Sequence, residues 1–411
     1  MFKKCSIFLI LISLVVVFAL PCQTLAANPG VVIDGEELSF LENPPAVVND
    51  RILVPMWVIF EAFDMQVEWD WYSETAIAKK DGLVIRVTVG QREAFVNDEE
   101  IPLDVAARIM QGRTMVPLRF IGDAIGADVK WDSSANKAII TSPEVIEEQQ
   151  LQADTSTKIY FFPVSNGESA LIQMPGRNHV LIDAGGVEDG AKLVKYLQAL
   201  KVDDIELLIA THPDNEHTGG INEVINNFKV EKVIDSGYVH DVWLDKAFQR
   251  MLDEVSIPRE EDNQQTLSFE NASIRFITGK EKWSNPLDDD AKHNPDDYSV
   301  VCMLEVDGIK ALFTGDASQR LERWLTNRDV KANILKAANH GSSSSSHFTF
   351  LNNVKPEATI ITPGNENRNG YPHLDTLNRV ENMDSKVYRT DLQGIITVTI
   401  EEGKYQISTE K

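Results

Sequence analysis

A segment of about thirty residues occurs twice in the first third of this chain, at a spacing of 62 positions. The first copy, RILVPMWVIFEAFDMQVEWDWYSETAIAKK, begins at Arg51, and the second, RTMVPLRFIGDAIGADVKWDSSANKAII, begins at Arg113. Arg51/Arg113, Val54/Val116, Pro55/Pro117, Ala62/Ala124, Val67/Val129, Trp69/Trp131 and Asp70/Asp132 correspond. A duplication limits the fold strongly, because one supersecondary unit must serve twice and the copies must share a core. Each copy predicts a strand ending at Val-Pro and then a short helix with proline in its first turn, where a missing N–H costs little. A hairpin of alternating apolar residues follows. The tryptophans are expected to close the core of each unit. The result is a small α+β domain over residues 28–142.

Ahead of it, Lys3 and Lys4, the apolar run SIFLILISLVVVFAL and the small residues of QTLAA predict a secretory signal over residues 1–27. The run is short for a membrane span, so no stable span is expected after cleavage. The expected location is outside the cell, with attachment to the cell wall as an accompanying expectation. Loss of Lys3 and Lys4 takes the formal charge from -24 to -26. Such a chain is repelled by bulk nucleic acid, teichoic acid and anionic membrane. Cys5 and Cys22 fall in the signal and leave Cys302 alone, which excludes an intrachain disulfide in the cleaved chain. Residues 143–157, PEVIEEQQLQADTST, are polar and acidic without apolar period, and read as a linker.

Over residues 158–411 the pattern changes. Short apolar segments such as HVLIDAG, IELLIATH, SVVCMLEV and KALFTGDAS predict strands, and GAKLVKYLQALKV, GGINEVINNFKV and SQRLERWLTNRDV have helical spacing. The predicted arrangement is two packed sheets flanked by helices. The stretch THPDNEHTGG crowds His212, Asp214, Glu216 and His217 into one loop after a strand, an electrostatic burden that a cation would relieve. Asp183 in LIDAGG, Asp316 in LFTGDAS, His340 in ILKAANHGSSSSS and His373 in GYPHLDTL end or follow other apolar segments. His179, His240, His293 and His347 lack such a context and read as surface or core histidines. The serine run 342–346 reads as a mobile loop. Arg320, Arg323, Lys331 and Lys336 form the nearest basic cluster, readable as a phosphate-binding strip or as a solvated face.

Residues 28–142, with their recurrent R-x-x-V-P and V-x-W-D, resemble the copper amine oxidase N-terminal (stalk) domain. Copper chemistry does not come with the likeness, since the first histidine of the chain is His179. The domain reads as a spacer, adhesion or oligomerisation module that could meet a cell-wall or surface partner.

The order VSNGESALIQ, LIDAGG, THPDNEHTGG, TGD, NHGS, GYPH resembles the metallo-β-lactamase fold, an αββα sandwich, and within it the ComEC-like hydrolase domain. The resemblance implies two divalent metal ions, zinc or manganese, held by His212, Asp214, Glu216, His217, Asp316 and His340. Asp316 would bridge the ions, and Glu216 and Asp214 would be the catalytic carboxylates. His373 would meet metal or substrate, and Asp183 would support the site from behind. Two positions depart from the pattern: Glu216 stands for an aspartate, and Asn339 for the first histidine of a pair. The implied activity is that of a secreted metal-dependent hydrolase acting on a phosphodiester, as phosphodiesterase or nuclease. The alternatives are an ester, lactone or β-lactam hydrolase, and a surface binding module whose site has degenerated.

Overall fold

The computed structural model describes residues 28–165, 167–238, 243–279, 294–364, 367 and 369–411. The expected signal, His240 and His293 lie outside the described residues. The chain divides into two compact units between Gln149 and Gln150. Within residues 143–157, Pro143–Ala153 is helical and Thr157 begins a strand. Among the described residues no helix is long and apolar enough to cross a membrane.

The first unit is mostly β, and its duplication is visible in the pairing. The strands Arg51–Pro55 and Arg113–Pro117 lie antiparallel with Val54 opposite Val116, the two equivalent residues of the repeat. Each strand leads into a short helix, Met56–Ala62 or Leu118–Ile125, and then a hairpin. Pro55 and Pro117 are the N-cap residues, one position before the first turn in which they were expected. The repeated aspartates form the hairpin turns. Asp70 accepts from the Tyr72 N–H and the Ser73 hydroxyl, and Asp132 accepts from the Ser134 and Ala135 N–H groups.

Of the two repeated tryptophans expected to close the core, Trp69 packs against it and Trp131 does not. Ile59, Phe60, Ile121, Val54 and Val116 fill it, while Trp69 packs at its rim and Trp131 is 47% exposed.

Among the described residues the second unit holds two large sheets and a two-stranded one, Asp204–Ile205 with Lys229–Val230. Among the described residues the first runs, in spatial order, Arg259–Glu261, Val233–Asp235, Leu207–Ala210, Asn178–Ile182, Ala170–Met174, Thr157–Phe161, Ile396–Glu401 and Lys404–Thr409. The second runs Thr266–Ser268, Ala272–Phe276, Cys302–Val306, Ile309–Phe313, Ile334–Lys336, Ala358–Ile361 and Lys386–Arg389. Their inner faces share one core that includes Phe161, Ile172, Ile182, Ile209, Leu304, Phe313, Ile334 and Ile360. Phe161 and Phe313 stack there with centroids 6.0 Å apart. Such a pair adds about 0.5–1.5 kcal/mol to the area effect.

Helix Gly190–Ala199 buries Leu193, Val194 and Leu197 against the outer face of the first sheet. Helices Gln319–Leu325 and Phe348–Val354 cover the second. This is the predicted αββα order. Inside each sheet the parallel strands end toward one edge, where loops can bring polar side chains together on a fixed frame.

Candidate metal centre

The loops after Ile182, Ala210 and Phe313 converge at this edge, together with the turn Asn339–Gly341. Asp183 follows its strand with φ 55°, a left-handed conformation that swings the carboxylate under the next loop. One oxygen accepts from the Thr211 N–H (2.8 Å), and the other accepts from the Thr211 hydroxyl (2.6 Å) and faces His217 Nδ1 at 2.7 Å. Gly219 and Gly220 then let the chain press against its neighbours: a Cβ at Gly220 would stand 2.2 Å from the Ala184 carbonyl oxygen.

Three imidazoles present the same nitrogen to the centre. His340 Nδ1 lies 3.0 Å from the Thr362 carbonyl oxygen, which can only accept, so Nδ1 carries the hydrogen. His217 Nδ1 donates to Asp183. The Thr211 hydroxyl spends its hydrogen on Asp183 and accepts from His212 Nδ1 at 3.1 Å. Each Nε2 is left to face the centre, an arrangement suited to metal ligation. Asp316 lies between two of the rings, with Oδ1 3.4 Å from His217 Nε2 and Oδ2 3.3 Å from His340 Nε2. Its backbone N–H is held by the Ser299 hydroxyl at 3.1 Å.

Glu216, His217, Asp316 and His340 can converge on one point, and His212, Asp296 and Asp316 on another. Asp316 is common to both. Asp214 lies 3.8 Å from His212 Nε2 and Glu216 lies 3.8 Å from His340 Nε2, and both carboxylates are partly open to solvent. The donor set fits a divalent pair on an internal test. His212 Nε2, His217 Nε2, His340 Nε2 and Asp316 Oδ1 are all buried without a hydrogen-bond partner. Four such atoms facing one another are costly to bury unless a cation joins them.

Burial, then the His217 charge, hold His212 well below the usual imidazole range. Burial also works against a charge on His217, but Asp316 and Asp183 outweigh it and hold that ring well above the range. Burial opposes ionisation of Asp316 too, and His340 and His217 overcome it and keep the carboxylate ionised. Asp296 is pushed up to about 7 by burial and by the negative charges of Asp316 and Asp214.

Asp296 is the residue that the sequence did not single out. It sits on the short helical turn Pro295–Tyr298, and Asn339 Nδ2 donates to it at 3.1 Å. Asn339 therefore faces a carboxylate beside the centre, while His340 alone of that pair joins the cluster. His373 does not join it. Its Nδ1 accepts from the Ser343 N–H at 3.0 Å and its Nε2 lies 3.1 Å from the Asn369 carbonyl oxygen. Asp183 stands behind His217, outside both convergent sets around Asp316.

Two expectations need correction. The serine run is fixed in place: Arg379 donates to the carbonyl oxygens of Ser343, Ser345 and Ser346, and Glu322 accepts from the Ser346 and His347 N–H groups. Lys336 belongs to no surface strip. It is fully buried, paired with Glu168 and donating to the Gly315 carbonyl oxygen at 3.1 Å. It reaches the interior because strand Ile334–Lys336 is buried on both faces.

Residues 163–364 match the family described as the metallo-beta-lactamase superfamily. This unit is a metallo-β-lactamase domain. Residues 32–140 match the copper amine oxidase N-terminal domain, so the two units carry the two resemblances read from the sequence. ComE operon protein 3 of Bacillus subtilis (strain 168) is 28% identical over 253 residues, 57% of this chain and 32% of that protein. Competence protein ComA of Neisseria gonorrhoeae is 26% identical over 267 residues, 64% of this chain and 34% of that protein. The chain thus spans about a third of the length of the curated relatives it matches. Among solved structures, the short form of human tRNase Z gives a TM-score of 0.33 at 10% identity, covering 50% of this chain and 92% of that one. A likeness of that degree carries no argument about chemistry.

Proposed function

We propose that the metallo-β-lactamase domain hydrolyses a phosphodiester outside the cell, using two divalent ions, zinc or manganese. The observation that carries the metal is the set of four buried, unpartnered atoms on His212, His217, His340 and Asp316. His217, His340, Asp316 and Glu216 would hold one ion, and His212, Asp296 and Asp316 the other, with Asp214 beside it. A divalent pair supplies Lewis acidity toward a phosphoryl oxygen and brings the pKa of water to about 7. The oxygen-rich donor set suits manganese as well as zinc.

The chain's own residues supply position and proton handling. Asp183 fixes the His217 ring, Thr211 the His212 ring, and the Thr362 carbonyl the His340 ring. Glu216 stands at the solvent side of the centre, where it can take a proton from an attacking water. Gly186, Glu188, Asp214, Asn215 and Glu216 line a cleft of about 310 Å³ beside it. An acidic mouth of that size favours a short phosphodiester over a long tracked polymer, whose phosphates need neutralising cations. The kinship with competence proteins supports the phosphodiester class.

The test is hydrolysis of bis(p-nitrophenyl) phosphate by purified protein supplied with manganese or zinc, alongside metal analysis. The expected result is about two ions per chain, consistent with a two-metal site, and hydrolysis abolished by His212→Ala. Activity that survives both His212→Ala and chelation would sink the reading. Turnover of nitrocefin without turnover of the phosphodiester would move the domain to β-lactam chemistry. Fewer than one ion per chain would make it a binding module.

A further inference from the structure

The first unit contains a cleft of about 470 Å³ whose walls include Trp57, Trp69, Trp71 and Ile109, with Glu68 and Arg113 among its polar groups. This lies within the ~300–1,000 Å³ usual for small-ligand sites. Trp69 lies in strand Gln66–Asp70 and Trp71 in the turn that follows it, and both line this cleft. Their rings meet edge to face, with centroids 6.0 Å apart and planes at 80°. Trp71 is 83% exposed, Ile109 52% and Trp57 40%. Apolar surface grouped in this way is costly to leave in water and marks a place of interaction.

The duplication supplies an internal control. At the spacing of 62, Trp57 corresponds to Arg119 and Trp71 to Ser133, while the framework pair Trp69/Trp131 is kept. The second copy forms the same strand, helix and hairpin without the two extra indoles. The strand, helix and hairpin of the repeat therefore form without indoles at these two positions, and the placement of Trp57 and Trp71 around one cleft asks for a ligand.

Charge narrows its class. Residues 28–149 carry 22 acidic and 10 basic side chains, which disfavours an anionic polymer. Indole faces suit a ligand with flat apolar faces, and Glu68 and Arg113 suit one with hydrogen-bonding edges. A pyranose has both: C–H bonds above and below the ring, hydroxyls around it. We infer that the Trp57–Trp69–Trp71 cleft binds an uncharged polysaccharide strand by stacking sugar rings on the indoles. The site lies on a different unit from the metal centre, so its fate in experiment is independent of the hydrolase reading.

The test titrates the full chain with chitohexaose and, separately, cellohexaose, following tryptophan fluorescence and heat. Saturable binding of at least one hexasaccharide is expected. Trp57→Arg and Trp71→Ser copy residues that the second repeat already tolerates, and each should weaken binding about tenfold or more, as for an interface anchor. Trp131→Ala should leave it unchanged. Two outcomes overturn the proposal. One is no binding of either sugar at millimolar concentration, or equal loss in Trp131→Ala. The other is concentration-dependent self-association of the protein that Trp71→Ser abolishes, which would make the cleft a contact between copies.

Discussion

Each imidazole at the centre is held through Nδ1, His217 by Asp183, His212 by Thr211 and His340 by the Thr362 carbonyl. The orientation is therefore a designed part of the site, and Asp183 is its most committed member. Asp183→Asn keeps the volume but replaces a carboxylate oxygen with an amide. We expect metal affinity to fall by about 10–100-fold, as for other partners of ligating histidines. Equilibrium dialysis against zinc or manganese measures it. Asp296→Ala should act differently, lowering the stoichiometry from two ions toward one while the His217–His340 set stays loaded, as read by metal analysis after gel filtration. The histidines were legible in the sequence because imidazoles are scarce and each followed an apolar strand. Asp296 was not, because paired carboxylates after Asn-Pro look like any solvated turn and only the fold carries them to His212. His373 lies outside the cluster because local backbone groups occupy both of its nitrogens.

At the scale of an element, the turn that carries His340 is continued by the serine run, and the run is pinned to helix Leu374–Glu381 by Arg379 and to helix Gln319–Leu325 by Glu322. Low-complexity serine gave no hint of this, since its holding groups are backbone carbonyls and N–H groups that any sequence would offer. Glu322 makes the clamp pH-sensitive. Burial pushes it up to about 8 from 4.5, although the two N–H donors and Arg379 pull the other way. A carboxyl group with a raised folded value contributes its full stability below 4.5 and loses it as pH rises toward about 8. Glu322→Gln resembles the protonated form. Because its NH2 cannot accept from one of the two N–H donors, we expect it to fall below the parent near the low end of that window and to gain on it as pH approaches the high end, in chemical denaturation series across the range.

For the whole molecule, the two sheets of the second unit are joined by their common core, by the buried His217–Asp316 contact at the metal centre and, beneath it, by the buried ion pair Glu168–Lys336. Lys336→Met leaves a carboxylate buried without its partner and should cost about 3–5 kcal/mol. Replacing both, as Glu168→Gln with Lys336→Met, should recover much of that, measured by urea unfolding. The αββα order could be read from the sequence because apolar strands and amphipathic helices alternate cleanly. The ion pair could not, since its members lie far apart along the chain and each resembles a surface residue. The presence of two compact units carries a further expectation. Added zinc or manganese should raise the melting temperature of the second unit by mass action and leave the first unmoved, seen as two calorimetric transitions of which one shifts.

Gly167 lies so close to the metal loop that a Cβ there would stand 1.7 Å from the Glu216 carbonyl oxygen, and the Glu168 N–H donates to that same oxygen at 3.3 Å. The contact grips the main chain of residue 216 and leaves its side chain alone. Position 216 is thus a fixed socket with an interchangeable arm. Exchange of glutamate for aspartate changes how far the carboxyl group reaches into the cleft, without carrying His217 along with it. A lineage could lengthen or shorten that arm to suit new substrates while its metal ligands stayed in register.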